Sequence, residues 1–310
     1  MEIIKHKVAK EIDYFDLREF VNKIKLSSKV LDHMENTNKS FDDYFSKLSQ
    51  YDDELVLYFW IALAYEEIKN SNYVENNILK KFDFTPAELF VDRFSISNSR
   101  IHKIHEFVLK DEENKEKVGT YRKTPIKVSN IEKDYEEIFW YGVKPEDIKA
   151  FMSDFIEVYK SKNTSVLTTN PFLKSALMHL LFLKIHPYHD GNGRTARMLH
   201  NMKFTEIINR NYDMHLKISP INLSERINVY KPSYVKPIDN IYFDLKHDNN
   251  AMINKWFNFI LNMYDEQLYV NRNLIDNMDE IMDKIQSVKE HMSPETIHDI
   301  ENKYVRTLKK

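Results

Sequence analysis

The sequence predicts an all-α fold, a helical bundle carrying one short β-hairpin and additional helices at both ends. Three observations lead there. Apolar residues recur at spacings of three and four along nearly the whole chain, the period of an amphipathic helix. Alternating β-branched runs are scarce. The 310 residues include only four glycines, Gly119, Gly142, Gly191 and Gly193, where an average chain of that length holds about twenty. Each glycine is therefore expected where a side chain would be awkward, and Gly191 and Gly193 share one tripeptide.

Tyr44 to Ile68 reads as one amphipathic helix, with Leu48, Tyr51, Leu55, Tyr58, Phe59, Ala62 and Tyr65 on a common side, running into the polar Lys69-Asn70-Ser71-Asn72. Gly119 to Asn130 is the one β segment, read as a short hairpin in which Tyr121, Pro125, Ile126 and Val128 precede the turn pair Ser129-Asn130. Pro145 opens a helix through Tyr159. Asn170-Pro171 supplies an N-cap and a first-turn proline for a helix ending near Ile185, and Pro187 stops it, because proline disfavours helical geometry in the residue before it. Further on, Leu274, Met278, Ile281, Ile285, Val288 and Met292 form a heptad seam. That seam packs either on its own domain, as ordinary core stripes do, or on a second copy in a homodimer. Ser293-Pro294 caps a last helix.

Composition excludes several function classes. Without cysteine there are no disulfides, thiol nucleophiles or thiolate zinc sites. A formal charge of −3 and a pI near 6.5 argue against a broad nucleic-acid surface, which needs clustered excess Lys and Arg. Met1 to Asp16 is charged every few residues and lacks a signal peptide's apolar core. The longest apolar stretch, Leu177 to Ile185, contains His179 and Lys184 and is too short to span a bilayer. The expectation is a soluble cytoplasmic protein with neither a membrane nor a nucleic-acid partner.

The chemistry is concentrated between His186 and Arg197, in His186-Pro187-Tyr188-His189-Asp190-Gly191-Asn192-Gly193-Arg194-Thr195-Ala196-Arg197. Gly191 and Gly193 allow a tight turn and close approach to a ligand, and the N–H groups opening the next helix attract phosphate. Arg194 and Arg197, three apart on its first turn, can fork onto phosphate oxygens. Asp190 is a hard oxygen ligand suited to Mg²⁺, which binds one or two carboxylates plus substrate phosphates. His186 titrates nearest neutrality and is the natural general base. Together they describe a magnesium-nucleotide site aimed at an incoming hydroxyl; the bland alternative is a polar loop capping two helices. His102 and His105, three apart on a helix, are expected to pack rather than bind metal.

This segment resembles the signature of Fic-domain proteins, His-Pro-Phe-x-Asp/Glu-Gly-Asn-Gly-Arg-x-x-Arg. The single departure is Tyr188 for phenylalanine, whose added hydroxyl needs a partner or a path to water. Ile101-x-x-Ile104-His105 and Gly119-x-Tyr121-Arg122 resemble the family's approach to its hairpin flap, His179 matches its spacing before His186, and Trp256-Phe257-Asn258-Phe259 resembles its closing helix. The resemblance implies three stretches: an N-terminal helical region (1–54), an inhibitory helix plus Fic domain (55–262, core about 101–262) and a C-terminal helical extension (263–310). The stretch from Asp213 to Asn249 looks longer than the family usually has.

The resemblance also implies an activity. Fic proteins typically transfer AMP from ATP to a Ser, Thr or Tyr hydroxyl of a protein target, with self-modification possible. His186 would deprotonate that hydroxyl and Asp190 would hold Mg²⁺. Gly191, Asn192, Gly193, Arg194, Thr195 and Arg197 would bind the nucleotide, with Tyr242 and Asn249 at the adenine. Lys127, Val128, Ser129 and Asn130 would form the flap that clamps the target's main chain. Ser71-Asn72-Tyr73-Val74-Glu75-Asn76 resembles the family's inhibitory motif, so Ser71, Glu75 and Asn76 would be regulatory, with Glu75 pairing with Arg197. Two further readings stay open: a Glu75-dependent removal of AMP, and a nucleotide-binding regulatory or toxin–antitoxin protein without a transferase role. The Doc-like kinase branch departs from Gly-Asn-Gly-Arg, which is intact here.

Overall fold

The computed structural model describes residues 12–75, 96–109, 118–132, 135–161, 165–214, 216, 218–290 and 293–300. Helices dominate them, with one two-stranded antiparallel sheet. In chain order they are α1 (Leu17–Asn22), α2 (Ser28–Leu48), α3 (Asp53–Val74) and α4 (Asn98–Val108), then β1 (Lys127–Glu132) and β2 (Tyr135–Tyr141). A 3₁₀ turn at Pro145–Asp147 leads into α5 (Ile148–Lys160), followed by α6 (Val166–Thr169), α7 (Pro171–Ile185) and α8 (Asn192–Asn211). The last described elements are α9 (Ser224–Val229), α10 (Lys231–Asp239), α11 (Asn250–Ile275), α12 (Met278–Glu290) and α13 (Pro294–Ile300).

The centre is the antiparallel pair α7 and α8. Every residue of α7 is buried, which is why that helix shows no polar stripe; helices buried all round lack one. It begins as its sequence predicts: the Asn170 side chain accepts from Leu173 N at 3.0 Å, and Pro171 occupies the first turn. Trp256 on α11 anchors to α7 through Nε1 donating to the Ala176 carbonyl at 2.9 Å. Helix α2 packs on α11, α3 on α8, α9 and α12, and α4 on α8.

Three expectations change. The stretch from Tyr44 to Ile68 is two helices. Asp52 accepts from Leu55 N at 2.9 Å and starts α3 afresh, while the intervening Tyr51 gives its hydroxyl proton to the Ile275 carbonyl at 3.0 Å. The apolar stripe keeps its phase across the break, so periodicity alone does not reveal it.

The hairpin begins at Lys127 and closes through Tyr135–Tyr141, with Lys127 opposite Tyr141, Val128 opposite Trp140 and a bulge between Val128 and Ser129. Gly119 to Ile126 is an irregular lead-in, and Ser129-Asn130 lies within a strand rather than at a turn. Arg122 holds that lead-in to other backbone segments, which does the work a ladder would have done.

The C-terminal seam is divided at Asp276-Asn277. Leu274 ends on α11, and Ile281 and Ile285 are buried on α12, which packs on α3 of the same chain. Lys289 Nζ lies 3.9 Å from the centre of the Tyr58 ring. The side chains of Met278 and Val288, and Met292, lie outside the described residues. No helix among the described residues is long and apolar enough to cross a membrane.

Candidate active site

His186 is the C-cap of α7 and adopts a left-handed conformation, φ 51° and ψ 61°. For a residue with a side chain this geometry is costly, and such strain collects at functional sites. Its Nδ1 lies 3.1 Å from the Leu183 carbonyl; a carbonyl only accepts, so Nδ1 carries the proton and Nε2 keeps its lone pair. Burial pushes the imidazole down to about 4, the nearby Arg122 charge adding to the effect against the Leu183 bond. The ring is therefore neutral at pH 7.

Arg122 surrounds the back of this residue. Nε donates to the His186 carbonyl at 2.7 Å, Nη1 to Thr124 O at 2.9 Å, Nη2 to Val143 O, and the backbone N–H to Pro187 O at 2.9 Å. A Cβ at Gly142 would stand 2.6 Å from Arg122 Nη2 and 3.2 Å from His186 Cβ. Gly142 is thus a close-approach glycine beside His186.

The loop between α7 and α8 is braced from below. Tyr188 is fully buried, and its hydroxyl lies 2.8 Å from His102 Nδ1, the partner that the departure from phenylalanine requires. The His105 ring stacks on Tyr188 at 3.7 Å between centroids. Gly119 N donates to His105 Nδ1 at 2.9 Å, so Nε2 holds the proton that reaches the Asp190 carbonyl at 2.9 Å. Burial pushes His105 down to about 4. Asn192 closes the loop, accepting from Tyr188 N at 3.0 Å and donating to Tyr188 O at 2.9 Å. Gly191 sits at φ +71°, and Asp190 Oδ1 accepts its N–H at 2.6 Å. The Asp190 side chain is 73% exposed, with Oδ2 3.5 Å from Arg194 Nη2.

On α8, Arg194 and Arg197 are buried and face the end of α3. Arg197 Nη2 lies 2.8 Å from Glu75 Oε1 and 2.8 Å from the Ser71 carbonyl, while Nε donates to Ser71 Oγ at 2.8 Å. Arg194 Nη1 reaches Asn72 Oδ1 at 3.4 Å and the Val108 carbonyl at 3.3 Å. Burial would raise the Glu75 carboxyl, but the charge and hydrogen bond of Arg197, with Arg194 and Lys231 beyond, outweigh it and hold the group below its ordinary value. A Cβ on Gly193 would overlap Glu75 Oε1 and stand 3.1 Å from Arg197 Nη1. The carboxylate therefore occupies the space over the helix start that the absent side chain leaves. Thr195 is buried within α8. Asn76 lies outside the described residues.

Lys127, Val128, Ser129 and Asn130 form the first part of β1. Asn249 spends its amide on Tyr242, accepting from its N–H at 2.9 Å and donating to its carbonyl at 2.6 Å. The Tyr242 ring is half exposed and stacks on His247 at 4.1 Å. Metal binding offers no rival centre: the described residues contain no group of three or more His, Asp or Glu able to hold an ion.

Residues 95–203 match the Fic/DOC family, and that match contains the whole loop from His186 to Arg197. The chain carries a Fic domain. It is 35% identical over 126 residues to protein adenylyltransferase Fic of Nematostella vectensis, covering 39% of this chain and 27% of that one. Over 60 residues it is 37% identical to protein adenylyltransferase fic-1 of Caenorhabditis elegans, covering 19% and 11%. It thus spans about a quarter or less of the length of these curated relatives. Among solved structures, a Fic family protein from Desulfovibrio desulfuricans G20 superposes with a TM-score of 0.60 at 14% identity, over 91% of this chain and 89% of that one. A Fic domain containing signaling protein from Bacteroides thetaiotaomicron gives 0.52 at 19% identity, over 79% and 97%. At these identities the likeness is one of fold, and the Fic bundle with its small β flap is the fold observed here.

Sequence reasoning expected His102 and His105 to pack and placed Arg122 and His105 in segments leading to the flap, but it tied neither Arg122 nor Gly142 to His186, nor the two histidines to the loop they support. The hydroxyl of Tyr188 is the one signal that pointed toward such a partner.

Proposed function

We propose that this Fic domain is a protein adenylyltransferase held in check by Glu75. The observation that carries the reading is the pairing of a neutral imidazole, its Nε2 lone pair uncommitted, with a glycine-opened helix start flanked by Arg194 and Arg197. In the reaction, a hydroxyl oxygen of the target attacks the α-phosphorus of ATP. The bond to the bridging oxygen of pyrophosphate breaks, and the hydroxyl proton passes to His186 Nε2. Arg122 and Leu183 fix the ring for that transfer, so orientation is supplied before substrate arrives. Arg194 and Arg197 would take the β- and γ-phosphates by charge-assisted hydrogen bonds, and the Asn192 and Gly193 N–H groups would line the anion hole. The hairpin would hold the target by main-chain pairing.

The residues fit magnesium. Asp190 presents an exposed carboxylate beside the phosphate-facing helix start, the usual arrangement of one protein carboxylate completed by phosphates and water. When bound, Mg²⁺ would neutralise phosphate charge in the transition state.

Glu75 supplies the check. Its carboxylate holds Arg197 and lies over Gly193, so ATP can bind only with its phosphates displaced from in-line geometry; ground-state binding survives and catalysis fails. The test is intact mass after incubation with ATP and Mg²⁺. Glu75→Gly should gain AMP on itself or on added protein, wild type should gain far less, and Glu75→Gly combined with His186→Ala should lose about 10²- to 10⁴-fold in rate. No adduct in any variant would sink the reading. One observation favours a second reading: the ionised Glu75 carboxylate stands where it could orient a water against an AMP ester. AMP loss from a pre-modified protein with wild type, absent in Glu75→Gly, would support that reverse reaction.

A further inference from the structure

Helix α3 carries one polar stripe where it meets α8. Glu67, Ser71 and Glu75 lie four residues apart on α3, and Asn201, Arg197 and Gly193 lie four apart on α8, so each set falls on a single helix face. The helices run antiparallel and the stripes meet rung by rung. Glu75 covers Gly193 and pairs with Arg197, Ser71 takes the Arg197 guanidinium, and Glu67 Oε1 accepts from Asn201 Nδ2 at 3.0 Å.

The Glu67 rung differs from the others. The residue is buried and its described hydrogen-bond partners are neutral, while its charge also reaches Arg197. Ser224 N donates to Oε2 at 2.8 Å and Ser224 Oγ to Oε1 at 2.6 Å. One carboxylate thus joins three elements: α3, the motif helix α8 and the first residue of α9. Buried carboxylates persist where hydrogen bonds satisfy them and are costly to disrupt. Glu75, by contrast, caps the last turn of α3, and a terminal turn frays unless something behind it is fixed.

We propose that Glu67 is a positioning residue for the check: it fixes the axial register of α3 on α8, and thereby keeps Glu75 over Gly193. This rests on the regulatory reading of Glu75 given above. Sliding or fraying the last turns of α3 removes Glu75 from Arg197 without touching His186 or Asp190. Loss of Glu67 therefore raises transfer, the reverse of what damage to a stabilising contact alone would do.

Two measurements test it on the full chain, using Glu67→Gln, Glu67→Ala and Asn201→Ala. The first is hydrogen exchange of peptides covering Ser71–Glu75 and of peptides in α7. The Glu67 variants should exchange faster at Ser71–Glu75 with α7 unchanged; equal protection at Ser71–Glu75 overturns the proposal. The second is the initial rate of AMP incorporation from ATP with and without Glu75→Gly. Glu67→Ala should raise the rate about fivefold or more when Glu75 is present and add nothing in the Glu75→Gly background, the non-additivity expected of residues acting through one contact. A lowered rate in both backgrounds, or the same fold-change in both, overturns the proposal. Glu67→Gln, which keeps the shape and some of the bonds, should fall between wild type and Glu67→Ala. If Glu75→Gly itself transfers no AMP, the adenylyltransferase reading fails, and the exchange measurement still decides whether Glu67 anchors α3.

Discussion

His186 is held neutral by burial, which carries a kinetic consequence. A base whose conjugate acid sits at about 4 is already deprotonated throughout the neutral range. In the Glu75→Gly background, kcat/KM should therefore show no inflection from His186 between roughly pH 5.5 and 7.5, falling only as pH approaches the lowered value. A break near the ordinary histidine value would count against this assignment. Gly142 gives a second prediction at the same scale. A methyl group there stands 2.6 Å from Arg122 Nη2, so Gly142→Ala should push Arg122 from the His186 carbonyl and lower kcat about tenfold or more, with KM for ATP nearly unchanged. Steady-state kinetics in the Glu75→Gly background separates the two constants. The spacing of the motif brings His186, Asp190 and the two arginines forward as candidates, because the chemistry proposed for them is local. Arg122 and His105 escape it, because what matters there is which backbone carbonyl or N–H lies across the fold.

Among the elements, α7 shows best what local signals can do. Asn170 and Pro171 announce its start, and Pro187 its end. Asn170→Ala should remove the bond to Leu173 N and the contact with Asn38 Oδ1 at 3.0 Å, costing about 1 kcal/mol; chemical denaturation measures it, and a change within error would deny the cap that role. The break at Asp52 and the division of the C-terminal seam were not readable in the same way. In both, hydrophobic phase continues past the helix end and masks local signals, the Asp52 cap on Leu55 N at the first break and the Asp276-Asn277 turn at the second. The hairpin was misplaced for a related reason: the turn residues Ser129-Asn130 carry strong local preferences, yet pairing with Tyr135–Tyr141 makes them strand.

For the molecule as a whole, buried neutral histidines set the acid limit of stability. His105 and His200 are pushed by burial to about 4 and about 3, and His179 well below its ordinary value. Once unfolded, each regains an ordinary value of 6.5. The unfolded chain therefore binds more protons below that value, and stability must fall as pH drops from about 6.5 toward 4, by roughly 1–3 kcal/mol each for His105 and His200 at the lower limit. Urea midpoints across that window check the sign; a midpoint that holds or rises on acidification would contradict it.

Gly193 bears on which mutations can free such an enzyme. The gap above it admits the Glu75 carboxylate, and on the proposed chemistry the same gap admits phosphate. On the proposed regulation, any side chain placed there evicts inhibitor and substrate together, so activation cannot arise at Gly193 itself. On that reading it comes through the contact between α3 and α8 away from Gly193, where a single substitution would unlock the protein and leave its working parts whole.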